Sequence, residues 1–269
     1  MRTTLIYLLL ILVLSLEIFF AHDSYKNSSN FINIQKEISK ESGLDESINK
    51  KFDEIFEKIS FGIYDKYSKE SKNSKKLEID AKSYYQNSIK SAYYYFGTVF
   101  IFLVLFYFMD REFFIILLST TSIVSLFFAL ISPLLTIVVY QNIPVVGDVI
   151  FSFKSKSILN SIGEIYENSN YLVAFLILLF SVIIPLFKSL ILLLYGFLKE
   201  YNRGKKIIDF VHKIGKWSMA DVFVVSMLLV FFSTNQDIHT LLKMQIGIYF
   251  FISYVMLSMF ASSFISRKV

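Results

Sequence analysis

Residues 171–198 read YLVAFLILLFSVIIPLFKSLILLLYGFL, twenty-eight positions carrying a single charge, Lys188. A bilayer core of about 30 Å is crossed by about 20 apolar residues in helical form, so this stretch is long enough to span a membrane. Four more long runs share its character: Tyr93–Met109, Phe113–Tyr140, Trp217–Ser233 and Met244–Ser263. A shorter run, Leu5–Phe20, is interrupted by Glu17. The pattern predicts an all-α, polytopic membrane protein of about six transmembrane helices.

Composition agrees. Hydrophobic residues form 55% of the 269 positions and charged residues 18%, below the roughly 25% charge of a soluble domain. Mean hydropathy is +0.55. Half of all charge falls in residues 22–92, with 13 Lys and 12 acidic residues, so the remainder is more apolar than the mean. The absence of cysteine excludes disulfides, thiolate zinc sites, iron–sulfur clusters and cysteine nucleophiles. No phosphate-binding glycine loop or paired-histidine metal spacing occurs, and His22, His212 and His239 lie far apart. The expectation is therefore no metal, no cofactor and no enzymatic activity of its own. The net charge of +5 sits beside apolar segments, which points to membrane orientation rather than nucleic-acid binding.

Short loops rich in Lys and Arg stay cytoplasmic. The loop between residues 199 and 216 carries six such residues: Lys199, Arg203, Lys205, Lys206, Lys213 and Lys216. Alternating from it places both termini in the cytoplasm and directs 22–92, 141–170 and 234–243 outward. Within that loop, apolar Ile207, Ile208, Phe210, Val211 and Ile214 interleave with the lysines, the pattern of a short helix on the membrane surface. Residues 1–21 read as either an uncleaved anchor or a signal peptide. Phe19 in place of a small residue before Ala21 favours the anchor.

The outward segment carries helical periodicity. Leu44, Ile48, Phe52, Ile55, Ile59 and Ile63 recur every three or four residues. A second set, Leu77, Ala81, Tyr84, Tyr85, Ile89 and Ala92, runs into the next span without a breaker. The expected division is an anchor (1–21), an outward helical segment (22–92) and a membrane bundle (93–269).

Ionisable groups inside spans are costly and usually face a bundle interior. Past Glu112 the apolar segments contain two, Lys188 and Asp221. Ser181, Pro185 and Lys188 are spaced by four and three, hence on one helical face. Pro185 lacks an N–H and frees the Ser181 carbonyl. Ser218 and Asp221 share a face of the next span. Pro133, flanked by Ser132 and Thr136, predicts a second kinked helix. Together these predict an intramembrane polar cluster of Ser181, Lys188, Ser218 and Asp221.

The same residues carry a resemblance. Ser181-Val-Ile-Ile-Pro185-Leu-Phe-Lys188, followed by Ile214-Gly-Lys-Trp-Ser218-Met-Ala-Asp221-Val-Phe-Val-Val, resembles the paraquat-inducible protein A family. Ile131-Ser-Pro133-Leu-Leu-Thr136 and Gly247-Ile-Tyr-Phe250 are similar to its proline-bearing and last spans, and the resemblance covers about 113–266. It implies an inner-membrane subunit that handles phospholipid or protons through the polar cluster. Its implied partner is a periplasm-spanning mammalian-cell-entry (MCE) domain protein that moves lipid between envelope membranes. Typical members add a Cys-rich zinc ribbon and often a second module; this chain has no Cys and one module. The alternative reading is a non-transporting scaffold or envelope-stress sensor acting through 22–92.

Overall fold

The computed structural model describes residues 2–41, 66–105, 111–143, 147–198 and 240–266, together with 49, 51–54 and 57. The expected spans Trp217–Ser233 and the basic loop at 199–216 lie outside the described residues, as does most of the periodic stretch between Leu44 and Ile63. What is described is predominantly helical.

Two 40-residue helices, α1 (Arg2–Glu41) and α2 (Lys66–Leu105), form an antiparallel hairpin. The pairs run in opposite order along the two helices: Val13 packs with Phe102, Phe20 with Tyr94, Ser24 with Ser88, Phe31 with Tyr85 and Glu41 with Ser74. At 1.5 Å per residue each helix is about 60 Å long, about twice a bilayer core. Each joins an apolar half to a polar half. The periodic set from Leu77 to Ala92 does run without a break into the next apolar run, as its spacing predicts.

Three described helices are long and apolar enough to cross a membrane: Phe113–Ile131, Tyr171–Tyr195 and Ile246–Ser263. The first belongs to α3 (Arg111–Ile131) and the last to α7 (Ile246–Ser266). Between them lie α4 (Ile158–Glu167), α5 (Tyr171–Leu178), a π turn (Leu179–Ile183) and α6 (Ile184–Leu198). The protein is a helical membrane protein. The α3 span is 67% buried, against 33% for Tyr171–Tyr195, so α3 is the central helix and α5–α6 a peripheral one. Among the described residues, Phe187, Leu190 and Leu194 on α6 and Met256, Met259 and Phe260 on α7 are exposed, apolar faces of the kind a membrane helix turns to lipid.

The all-α expectation needs correction. A three-stranded antiparallel sheet, ordered β2-β1-β3, caps one end of the bundle. Its strands are β1 (Leu135–Ile143), β2 (Gly147–Lys156) and β3 (Thr240–Met244). The apolar run Phe113–Tyr140 is thus not one span but a helix ending at Ile131 and a strand starting at Leu135. Pro133 sits in the link, where it terminates α3 instead of kinking it. The β-branched run Thr136-Ile-Val-Val139 then suits a pleated strand better than a helix. Region 141–170, expected as a loop, is strand and helix over most of its length.

The sheet is bolted to the bundle at one junction. Gly247 N–H donates to the Pro133 carbonyl (2.9 Å), and Gln245 N–H to the Leu134 carbonyl (2.9 Å). The Gln245 amide also reaches the Thr136 hydroxyl at 2.9 Å. A Cβ on Gly247 would meet the Pro133 and Ser132 carbonyl oxygens at 2.6 and 2.7 Å, so only glycine permits this approach. On the hairpin side, the Lys243 ammonium of β3 lies 3.7 Å from the Tyr85 ring centroid and 5.2 Å from that of Phe31. Burial holds this ammonium below the usual lysine range, while the ring faces attract the cation.

Gly247→Ala forces either α7 or the Ser132–Pro133 link to move. It should lower stability by about 1–3 kcal/mol, read as a depressed thermal midpoint of the purified protein in detergent. An unchanged midpoint would show that the junction is not close-packed.

Candidate functional site

The bundle interior is built around hydroxyls on α3. In hydrocarbon no water satisfies a polar group, so each must find a partner within the protein. The string Ser119-Thr-Thr-Ser122 with Ser125 meets this demand locally first. Ser119 donates to the Ile115 carbonyl, Thr120 to the Ile116 carbonyl and Ser122 to the Ser119 carbonyl, each at 2.8 Å. With their protons placed on the backbone of their own helix, these oxygens can face neighbours inside a dry bundle.

Thr121, Ser122 and Ser125 of the string meet four other helices. Thr121 donates to Glu17 Oε2 on α1 at 3.2 Å. Ser125 is hydrogen-bonded to the Tyr95 hydroxyl on α2 and lies 3.3 Å from Ser253 on α7. Ser122 lies 3.3 Å from Ser189 on α6. Tyr254 of α7 donates to the Pro185 carbonyl at 3.2 Å. Glu17, Tyr95, Ser119, Ser122, Ser125 and Ser189 are all fully buried. The result is a seam of separate polar contacts through an otherwise apolar bundle.

The π turn and α6 carry the residues expected on one face. Ser181 and Lys188 are 5% and 7% exposed, and Pro185, Ser189, Leu192 and Tyr195 complete a buried stripe opposite the lipid-facing Phe187, Leu190 and Leu194. The local distortion at Pro185 is a π turn. With no N–H at Pro185 and its ring crowding the Ser181 carbonyl, the preceding turn widens, and Ile184 N–H bonds back five residues to Leu179. Ser181 sits at the centre of that turn. Of the expected cluster, then, Ser181 and Lys188 are placed on the inner face beside the seam. Ser218, Asp221 and the basic loop residues Lys199, Arg203, Lys205, Lys206, Lys213 and Lys216 lie outside the described residues.

Two polar elements escaped the sequence reading. The α3 hydroxyl string is a visible signal, because five of the seven residues 119–125 in an apolar run are Ser or Thr. Glu17 is the other: it interrupts the first apolar run, yet its side chain is wholly buried and crosses to Thr121, 104 positions away. Its second oxygen, Oε1, has no hydrogen-bond partner among the described residues.

A family model for paraquat-inducible protein A matches residues 114–269, more than half of the chain. The chain belongs to the paraquat-inducible protein A family. No curated protein and no solved structure gives a further match. The family match starts at α3 and includes the sheet, the π turn, Lys188 and α7. It excludes the α1–α2 hairpin, so the Glu17–Thr121 contact joins a helix outside the matched region to the central helix of the paraquat-inducible protein A module. The two family-like motifs around Pro133 and Gly247 are the two halves of the junction described above.

Thr121→Val removes the donor to Glu17 while keeping the shape, and should cost about 1–3 kcal/mol. Glu17→Leu combined with Thr121→Val replaces both partners by apolar groups and should recover most of that loss. A double-mutant cycle on thermal unfolding in detergent checks this; strictly additive losses would refute the coupling.

Proposed function

We propose that this chain is an inner-membrane subunit of an envelope lipid-transport system and works with a periplasm-spanning MCE-type partner. The observation that carries the reading is the burial of Ser181 and Lys188 on the inner face of α6, at a π turn inside the family module and beside the hydroxyl seam. An ammonium at this depth is costly unless it serves a polar pathway. In this reading Lys188 and Ser181, with Ser218 and Asp221 from the following span, engage a phospholipid headgroup or pass a proton while the partner conducts the lipid. Both termini are cytoplasmic, the 199–216 loop holds the inner leaflet, and the sheet end faces outward. The role is transport rather than catalysis, with no resident metal.

A second reading has support in the hairpin. Two 40-residue helices extending beyond the bilayer suit a scaffold or envelope-stress sensor that binds a partner through 22–92.

The two are separated by Lys188→Ala in the full chain, purified in mild detergent with co-purifying lipids and proteins identified by mass spectrometry. The transport reading predicts a bound phospholipid and an MCE-type partner in the wild type, with the lipid lost and envelope integrity impaired in Lys188→Ala. Unchanged lipid and full envelope integrity in a normally folded Lys188→Ala protein would overturn it. Loss of function confined to deletion of 24–90 would favour the scaffold.

A further inference from the structure

At the sheet end of the bundle, a cleft of about 830 Å³ opens between α1, the end of α3, β2 and α4. This volume is within the range of small-molecule sites, roughly 300–1,000 Å³. It is distinct from the intramembrane seam and cannot form from the family module alone, because one wall is the polar half of α1: Tyr25, Ser29, Ile32, Asn33 and Lys36. Its apolar lining is Ile32, Ile131, Phe153 and Leu159.

Its level relative to the bilayer is marked twice. Ile131 and Pro133 line it at the point where the apolar span of α3 ends. Next to it, α4 leads into the span beginning at Tyr171, and the rings of Tyr166 and Tyr171 meet edge to face at 5.0 Å. Both rings are exposed, 61% and 57%. Paired exposed tyrosines at the head of an apolar helix are the residues that settle at a membrane–water boundary. The cleft therefore lies where lipid headgroups lie.

The charges define what fits. Five charged residues line the cleft: Lys36, Lys154, Lys156, Glu164 and Glu167. Lys156 and Glu164 form an ion pair with each other. Lys36, Lys154 and Glu167 make no ion pair with any described residue. Two cations and one anion beside apolar lining residues match a ligand that carries a phosphate, a separate ammonium and an apolar body.

From this we infer that the cleft is a binding site for an ethanolamine phospholipid. The phosphate pairs with Lys36 and Lys154, the primary ammonium donates to Glu167, and the first acyl carbons lie against Ile131, Phe153 and Leu159. A quaternary choline ammonium has no N–H to donate to Glu167, and a glycerol headgroup has no cation for it. The site thus discriminates by headgroup. The inference rests on the membrane assignment shared with the proposed function, but not on the seam or on Lys188.

The test uses the full chain in phosphatidylcholine nanodiscs doped with a lipid bearing a photoactivatable group near the top of one acyl chain. Headgroups of ethanolamine, choline or glycerol are compared, and crosslinked peptides are mapped. The ethanolamine lipid should label the peptides containing Phe153 and Leu159 about tenfold more than the choline lipid, the scale of one charge-assisted hydrogen bond. Glu167→Gln should erase that preference while leaving labelling by the glycerol lipid in place. Lys36→Gln combined with Lys154→Gln should reduce labelling by the ethanolamine and glycerol lipids alike. Inorganic phosphate or glycerophosphoethanolamine in excess should not compete, since neither has an acyl chain. Equal labelling by all three lipids, labelling confined to the outer face of the bundle, or displacement by phosphate alone would overturn the inference. Variants are scored only after their elution and circular dichroism match the wild type. Lys188→Ala is carried in parallel and should label as the wild type does, so failure of the seam and failure of the cleft are read separately.

Discussion

Everything in this bundle depends on where the hydroxyl protons of α3 go. A helix that is mostly Leu, Ile and Phe can sit at the centre of a membrane protein without difficulty. One that adds Ser119, Thr120, Thr121, Ser122 and Ser125 can do so only if each group is satisfied without water. Donation back to the carbonyls of Ile115, Ile116 and Ser119 solves the problem inside the helix. Of these, Ser122 also meets Ser189; Thr121 instead gives its proton to Glu17, and Ser125 meets Tyr95 and Ser253, so the string touches four different helices. Because small polar side chains occupy little volume, the same residues also let those helices approach closely.

The second constraint is the junction where chain direction changes from helix to strand. Pro133 ends α3, and its carbonyl accepts from Gly247 N–H at the start of α7. One glycine without a Cβ thus allows the first and last described spans of the family module to meet at the sheet. The hairpin is attached at both levels: to α3 through Glu17 and Thr121 within the apolar part, and to β3 through Lys243 over Tyr85 at the sheet. A segment outside the family match is in this way tied into the module rather than tethered beside it.

Much of this was legible in the residues, and what was not has identifiable causes. Hydropathy found the apolar runs, and Ser181, Pro185 and Lys188, grouped by their 4, 3 spacing, are all buried. Spacing could group them because they lie close together in the chain. The sheet was hidden because Leu135–Tyr140 is as apolar as the helix before it, so a hydropathy window runs straight through Pro133. The β-branched run and the alternation Phe151-Ser-Phe-Lys-Ser-Lys156 were the strand signals that it averaged away. Glu17 read as an interruption because its partner is 104 positions away, and no local pattern links two residues so distant. The π turn followed from Pro185 in kind, a disturbed helix, but not in form.

The central claim is that the π turn and α6 present Ser181, Lys188 and Ser189 to a polar interior and Phe187, Leu190 and Leu194 to lipid. The chain contains no cysteine, so single cysteines can be placed at will. The most direct measurement is site-directed spin labelling at positions 181, 187, 189, 190 and 194, one at a time, in liposomes. Collision with oxygen dissolved in the bilayer is then compared with collision with a water-soluble nickel complex. Labels at 187, 190 and 194 should collide strongly with oxygen, and labels at 181 and 189 weakly. Uniform oxygen accessibility along the helix, or the reverse pattern, would contradict the account.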